Sequence, residues 1–177
     1  MNQEISDILI STEEIQAINK RLGEEISKDY QDQDLLVVGI LKGSFLFMAD
    51  LIREINIPLE VDFMAVSSYG NGTESGGDVK ILKDLEASVA GRHVLLVEDI
   101  VDTGYTLERL GELFKERQAA SVKICAFLNK ADRRQVKVEA DYLGKEIPDA
   151  FVVGYGMDYA QKYRNLPYVG VLKSDQA

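Results

Sequence analysis

Tryptophan is absent from the chain, and cysteine and histidine occur once each, as Cys125 and His93. A lone cysteine excludes an intramolecular disulfide; lying in the apolar run "SVKICAFL", it is expected to be buried in a protein of a reducing compartment. A lone histidine without a cysteine pair excludes the usual zinc sites and leaves His93 as a residue at a strand entrance. Proline is scarce, three in 177 residues, and no stretch approaches the roughly 18 apolar residues of a membrane span. The opening "MNQEISDILIS" has no basic segment ahead of a long apolar core, so a cytoplasmic protein without a membrane partner is expected. Positive charge is the last deficit. With 20 Lys and Arg against 30 Asp and Glu, the net charge of -10 opposes a general role on DNA or RNA, where cations must neutralise phosphates.

What remains is an ordinary globular composition, 46% hydrophobic and 28% charged, at a length that favours one domain. Ser11 and Glu14 form a capping box, and Ile15, Ile18, Leu22 and Ile26 follow on one helical face, which predicts a helix over 12–30. "LLVVGIL" at 35–41 reads as a strand buried on both faces, with Phe45, Met48, Ala49 and Ile52 resuming helical spacing after it. A strand at 59–69, the glycine-rich "GNGTESGG" at 70–77 and a short strand at 78–83 suggest a long hairpin with a mobile tip. The strand-to-helix grammar then repeats, with Leu107, Leu110, Gly111 and Phe114 on one face, and this alternation implies an α/β fold with a mainly parallel sheet flanked by helices.

The repeat carries the chemistry. In "VLLVEDIVDTGYTLERL", residues 94–110, a buried strand delivers two acids and then a turn at the point where open parallel sheets bind ligands. Backbone N–H groups from Asp102 to Thr106 enter a helix amino terminus suited to a phosphate; the Thr103 and Thr106 hydroxyls add donors, and Gly104 permits close approach. No lysine follows as in a Walker A loop, and the dinucleotide glycine fingerprint is missing. Glu98 and Asp99 would repel a phosphate, so they should face a ribose diol or a magnesium ion. The plain alternative is that the acids open a loop and that Asp102 or Thr103 caps the helix.

The whole pattern resembles the phosphoribosyl pyrophosphate motif of type I phosphoribosyltransferases. Through "VVGILKGSFLFMADL", "VDFMAVSSYG", "DVKILKDL" and "IPDAFVVGYGMDYAQKYRNLPYVG", the resemblance to their bacterial hypoxanthine-guanine branch covers nearly the whole chain. It implies a single domain over 1–177, with a small hood subdomain built from both chain ends. It implies further that Glu98, Asp99, Thr103, Gly104 and Thr106 hold the phosphoribosyl group and that Leu41, Lys42, Gly43 and Arg164 hold pyrophosphate, with a non-proline cis peptide before Lys42. Ser68 and Tyr69 would belong to a closing lid. Lys130 would donate to O6 of a 6-oxopurine, Phe151 would stack on the base, and Val152 would meet its Watson-Crick edge through backbone groups. Asp102 would be the general base or acid at purine N7, and Glu98, Asp99 and Asp158 would serve Mg²⁺. Taken alone, Lys130 reads as solvated and Phe151 as core. Lys145 in "YLGKEIPD" replaces an apolar residue common in the family and leaves local hood packing in question.

The implied activity is transfer of ribose 5-phosphate to hypoxanthine or guanine by a homodimer or homotetramer. A xanthine-preferring enzyme would keep residues 98–106 and alter the base pocket, while Lys130 with Phe151 argues against pyrimidines. A regulator that binds the sugar pyrophosphate without turnover should carry a nucleic-acid-binding element, and none is visible.

Overall fold

A strand that is apolar at every position has to be covered on both faces, and "LLVVGIL" forms the middle of the molecule for that reason. In the computed structural model, which describes residues 5–68 and 79–173, this segment is β2 (Leu35–Leu41), buried from Leu35 to Ile40. The chain runs β1 (Ile5–Ile10), α1 (Thr12–Asp29), β2, α2 (Phe45–Glu54), β3 (Glu60–Ser68), β4 (Val79–Lys83), β5 (His93–Val101) and α3 (Tyr105–Glu116). It continues through β6 (Ser121–Asn129), a 3-10 turn (Ala131–Arg133), β7 (Tyr142–Glu146), β8 (Val152–Val153) and β9 (Val169–Leu172).

Six strands form one sheet in the order β4-β3-β2-β5-β6-β7, parallel except for the edge strand β4. Strand pleating sends alternate residues to opposite faces. Val37, Leu95, Val97 and Phe127 therefore pack with α1 and α2, while Val38, Ile40, Leu96 and Ala126 pack with α3. The α1 capping box is made as predicted, with Ser11 Oγ accepting from Glu14 N–H at 3.2 Å and Glu14 returning to Ser11 N–H at 3.1 Å. Cys125 is buried, which pushes its thiol pKa up, and His93 opens β5 with Nδ1 2.8 Å from Ser121 Oγ.

The connection after β2 crosses to β3 on one side, and that after β5 crosses to β6 on the other. The carboxyl ends of β2 and β5 thus bound the crevice where the winding of the sheet reverses, the usual ligand position in such folds.

A second sheet, β1-β9-β8, is antiparallel and joins early to late chain, with Ile5 opposite Leu172 and Val153 opposite Gly170. Tyr159, Tyr163 and Tyr168 pack around its small core of Ile5, Val153 and Leu172. Tyr155 departs from them and is buried in the main core, its hydroxyl accepting from Asn19 Nδ2 and donating to Asp50 Oδ2, both at 2.8 Å. Lys145 corrects the expectation about hood packing. It lies on β7, the edge strand of the large sheet, and its Nζ pairs with Glu14 of α1 at 2.9 Å.

Candidate active site

Parallel pairing sets Gly39 opposite Val97, so the residues leaving β2 meet those leaving β5. The Leu41–Lys42 peptide is cis. Beyond it, the backbone at Gly43 lies against the second acid: a Cβ on Gly43 would stand 1.7 Å from Asp99 Oδ2. At the carbonyl of the same residue, a Cβ on Gly156 would stand 2.1 Å from Gly43 O. The loop therefore meets both Asp99 and the turn after β8 at glycines with room for hydrogen only.

Glu98 and Asp99 are held side by side on β5. Burial pushes the Glu98 carboxyl well above the usual carboxylate range, and the Asp99 charge adds to the shift. Burial raises Asp99 as well, opposed by local hydrogen bonds, including that from Ile100 N–H at 2.8 Å, and by the Arg164 charge. Two acids disfavoured in this way gain from hydroxyl donors or a divalent cation placed against them. Asp158 is engaged separately, pairing with Arg164 at 2.7 Å and accepting from Gln161 N–H at 2.8 Å. Among the described residues, no three His, Cys, Asp or Glu side chains converge on a common metal position.

The two predicted pyrophosphate cations do come together. Lys42 Nζ and an Arg164 amino group each lie 3.3 Å from Gln161 Oε1, and the other Arg164 amino group donates to Gly156 O at 2.6 Å.

Past β5, Gly104 adopts φ +93, a conformation side chains rarely take, and a Cβ there would also press on Val136 and Arg134 at 2.9 and 3.0 Å. Gly104 occupies the N-cap position of α3 without any side-chain cap, so neither Asp102 nor Thr103 caps the helix. The first helical hydrogen bond runs from Glu108 N–H to Gly104 O, which leaves the amides of Tyr105, Thr106 and Leu107 without intrahelical acceptors. Thr106 and Leu107 line, with Glu98, Asp102, Thr103 and Gly104 among others, a cavity of about 160 Å³.

An adjoining cavity of about 200 Å³ is lined by Asp99, Asp102, Lys130, Phe151, Val152 and Asp158, with Ile100 and Met157. Lys130 is only 8% exposed, and its N–H donates to Val101 O at 2.9 Å, fixing it directly beyond the end of β5. Phe151 is 43% exposed and sits edge to face with Tyr159, ring centroids 5.6 Å apart. Val152, on β8, is buried. Asp102 borders both cavities.

Arg133, Asp149 and Gln161 carry no motif signal in the sequence, yet all three touch predicted site residues. Arg133 Nε lies 2.8 Å from Asp102 Oδ1, and Asp149 lies 3.6 Å from Lys130 Nζ. Ser68 ends β3. Tyr69 and the glycine-rich tip at 70–77 lie outside the described residues. A larger groove of about 860 Å³ beside β7 contains none of the predicted site residues.

Residues 6–160 match the family model described as a phosphoribosyl transferase domain. The hypoxanthine-guanine phosphoribosyltransferase of Bacillus subtilis (strain 168) is 57% identical over 173 residues, which cover 98% of this chain and 96% of that protein. A crystal structure of a hypoxanthine phosphoribosyltransferase from Staphylococcus aureus superposes with a TM-score of 0.95 at 51% identity, covering 99% of this chain and 95% of the other. The hypoxanthine phosphoribosyltransferase of Trypanosoma cruzi gives a TM-score of 0.93 at 40% identity, with 98% of each chain covered.

Proposed function

Because the chain belongs to the phosphoribosyl transferase domain family, we infer that it moves ribose 5-phosphate from phosphoribosyl pyrophosphate to hypoxanthine or guanine, releasing pyrophosphate and forming IMP or GMP. One observation carries the reading: a cavity lined by the first turn of α3 and a cavity walled by Phe151 and Lys130 meet at a single carboxylate, Asp102.

The roles follow from the chemistry at each point. The amides of the 102–106 turn and the Thr103 and Thr106 hydroxyls hold the 5-phosphate at the positive end of α3. Glu98 and Asp99 face the sugar diol. Lys42, the backbone of Leu41 and Gly43, and Arg164 take the pyrophosphate, with Arg164 suited to a forked contact. Phe151 stacks on the purine, backbone groups of Val152 meet its Watson-Crick edge, and Lys130 donates to O6. Purine N9 attacks the anomeric carbon with inversion as the bond from that carbon to pyrophosphate oxygen breaks, through a transition state of oxocarbenium character. Asp102 accepts the proton carried on N7. Ser68 and Tyr69 belong to the lid that keeps water from this carbon.

Magnesium fits the donor set, since it binds through one or two carboxylates while keeping waters and substrate phosphates, so the acids Glu98, Asp99 and Asp158 need not form a closed cage. When bound, it would offset charge on the leaving pyrophosphate.

We read the chain as one domain with β1-β9-β8 as its hood, acting in the cytoplasm as a homodimer or homotetramer without nucleic-acid or membrane partners. The acidic balance and the family resemblance support this, and no helix of the described residues is long and apolar enough to cross a membrane. The deciding assay is pyrophosphate release from phosphoribosyl pyrophosphate with hypoxanthine, guanine, xanthine or no base. Release only with a 6-oxopurine is expected. Binding of the sugar pyrophosphate without release would make the chain a sensor, and a dominant rate with xanthine would change the substrate.

A further inference from the structure

Arg133 stands at the end of the 3-10 turn that follows Lys130, and its guanidinium reaches two carboxylates. Nε is 2.8 Å from Asp102 Oδ1, and an amino group is 3.5 Å from Asp149 Oδ1, which is itself 3.6 Å from Lys130 Nζ. Lys130, Asp149, Arg133 and Asp102 thus form a charge chain whose two ends both line the pocket walled by Phe151. An ion pair this exposed adds little to stability. Its geometry is more informative. Asp102 Oδ1 is closed off from solvent and makes no aligned hydrogen bond, although the side chain as a whole is 42% exposed. The guanidinium therefore lies against the buried oxygen, and the exposed part of the carboxylate is Oδ2, on a residue that lines the pocket. No helix-capping bond holds this carboxylate in place.

We propose that Arg133 is a positioning residue for the reaction: it pins Asp102 through Oδ1 so that Oδ2 is presented to purine N7, with Asp149 holding the guanidinium in register. The proposal rests on the reading of Asp102 as the proton-transfer group. Proton transfer needs heavy atoms within about 2.6–3.2 Å, and an error of about 1 Å can cost on the order of 10²-fold. An unpinned carboxylate swings about two torsions and spends less time at that distance.

The test is a cycle of steady-state measurements on the full-length protein and its Arg133→Ala, Arg133→Lys, Asp102→Asn and Arg133→Ala/Asp102→Asn variants. Asp102→Asn should lose about 10²- to 10⁴-fold in kcat. Arg133→Ala should lose about 10- to 10²-fold in kcat with the KM for the sugar pyrophosphate held, since the phosphate turn is untouched. In the Asp102→Asn background, the same change should cost less than about 2-fold, because no carboxylate remains to be placed. Arg133→Lys should recover part of the rate. Unchanged kcat in Arg133→Ala, or an equal loss in both backgrounds, overturns the proposal. Full activity in Asp102→Asn overturns instead the reading beneath it. Should Arg133→Ala melt lower than the parent, Asp149→Asn loosens the same guanidinium from outside and must show the same dependence on Asp102, or the proposal fails.

Discussion

Gly43→Ala is expected to disable turnover while leaving the fold in place. The new Cβ would lie 1.7 Å from Asp99 Oδ2 and 2.6 Å from Asp99 Cγ, where real Cβ atoms keep at least 3.0 Å. Gly43 is not among the glycines with positive φ, so alanine meets no backbone penalty and the whole cost is this overlap. Relief requires a movement of about 1.3 Å or more, well beyond what a packed site absorbs without consequence. Asp99 is tied by Ile100 N–H to its Oδ1, and the loop is itself closely packed at Gly43 O, where a Cβ on Gly156 would stand only 2.1 Å away. The Leu41–Gly43 loop and the acid pair therefore separate by about 1.3 Å, and a misplacement of about 1 Å already costs about 10²-fold in rate, or about 2.7 kcal/mol of transition-state stabilisation. The measurement is kcat/KM for phosphoribosyl pyrophosphate with hypoxanthine saturating, beside thermal melting. Gly91→Ala is the control: its φ is +76 and nothing lies within 4 Å, so it should lose about 1–2 kcal/mol of stability with no change in rate. A Gly43→Ala enzyme with the parent's kcat/KM would refute the close approach of Gly43 to Asp99.

Other outcomes can be stated more briefly. Lys130 carries donors only, so adenine, which offers an amino group at position 6, should be a negligible substrate, by about 10⁴-fold or more. Lys130→Met should lose activity on hypoxanthine without gaining any on adenine, and specificity constants for both bases check this. Folded-state pKa values of Glu98 and Asp99 are raised, so their contribution to stability is present below the unfolded carboxylate pKa and is lost as pH rises through the folded values. The ligand-free protein should accordingly melt higher at mildly acid than at neutral pH, and Glu98→Gln should flatten that slope; a parent slope equal to the variant's would contradict the buried pair. Tyr155→Phe strips the hydroxyl shared by Asn19 and Asp50 and should cost about 1–3 kcal/mol in urea unfolding, whereas a loss near zero would mean that the network is not maintained in solution.

Much of this was legible in the sequence because the signals are local. "LLVVGIL" can only be a doubly covered strand, and Ser11 with Glu14 marks the start of α1 to the residue. The acids and the turn at 98–106 lie in one segment, so their order along the chain is their order along the crevice. Residue type misled where position decided. Lys130 reads as solvated, yet its place just beyond β5 buries it; Phe151 reads as core, yet it stands beside the pocket with 43% of its surface open. Arg133 gave no signal at all, since its contact with Asp102 joins residues 31 apart and depends on the 3-10 turn closing back over the site. The approach of Gly43 to Asp99 was equally hidden, being a property of the β2–β5 register rather than of either motif. Lys145 raises a question of hood packing in the sequence, whereas β7, a short strand with a weak apolar pattern, carries it at the edge of the large sheet.

The pairing of β1 with β9 also has a consequence for the order in which the protein becomes competent during synthesis. Strands β2 to β7 can assemble their sheet from contiguous chain, but β8 is held by β9, and β9 is held by a strand made some 160 residues earlier. Phe151 O takes its hydrogen bond from Leu172 N–H at 2.9 Å, so the aromatic wall of the pocket is fixed only when that residue has left the ribosome. A nascent chain thus completes the turn at 102–106 well before it completes the wall at Phe151, and closure of its longest loop comes last.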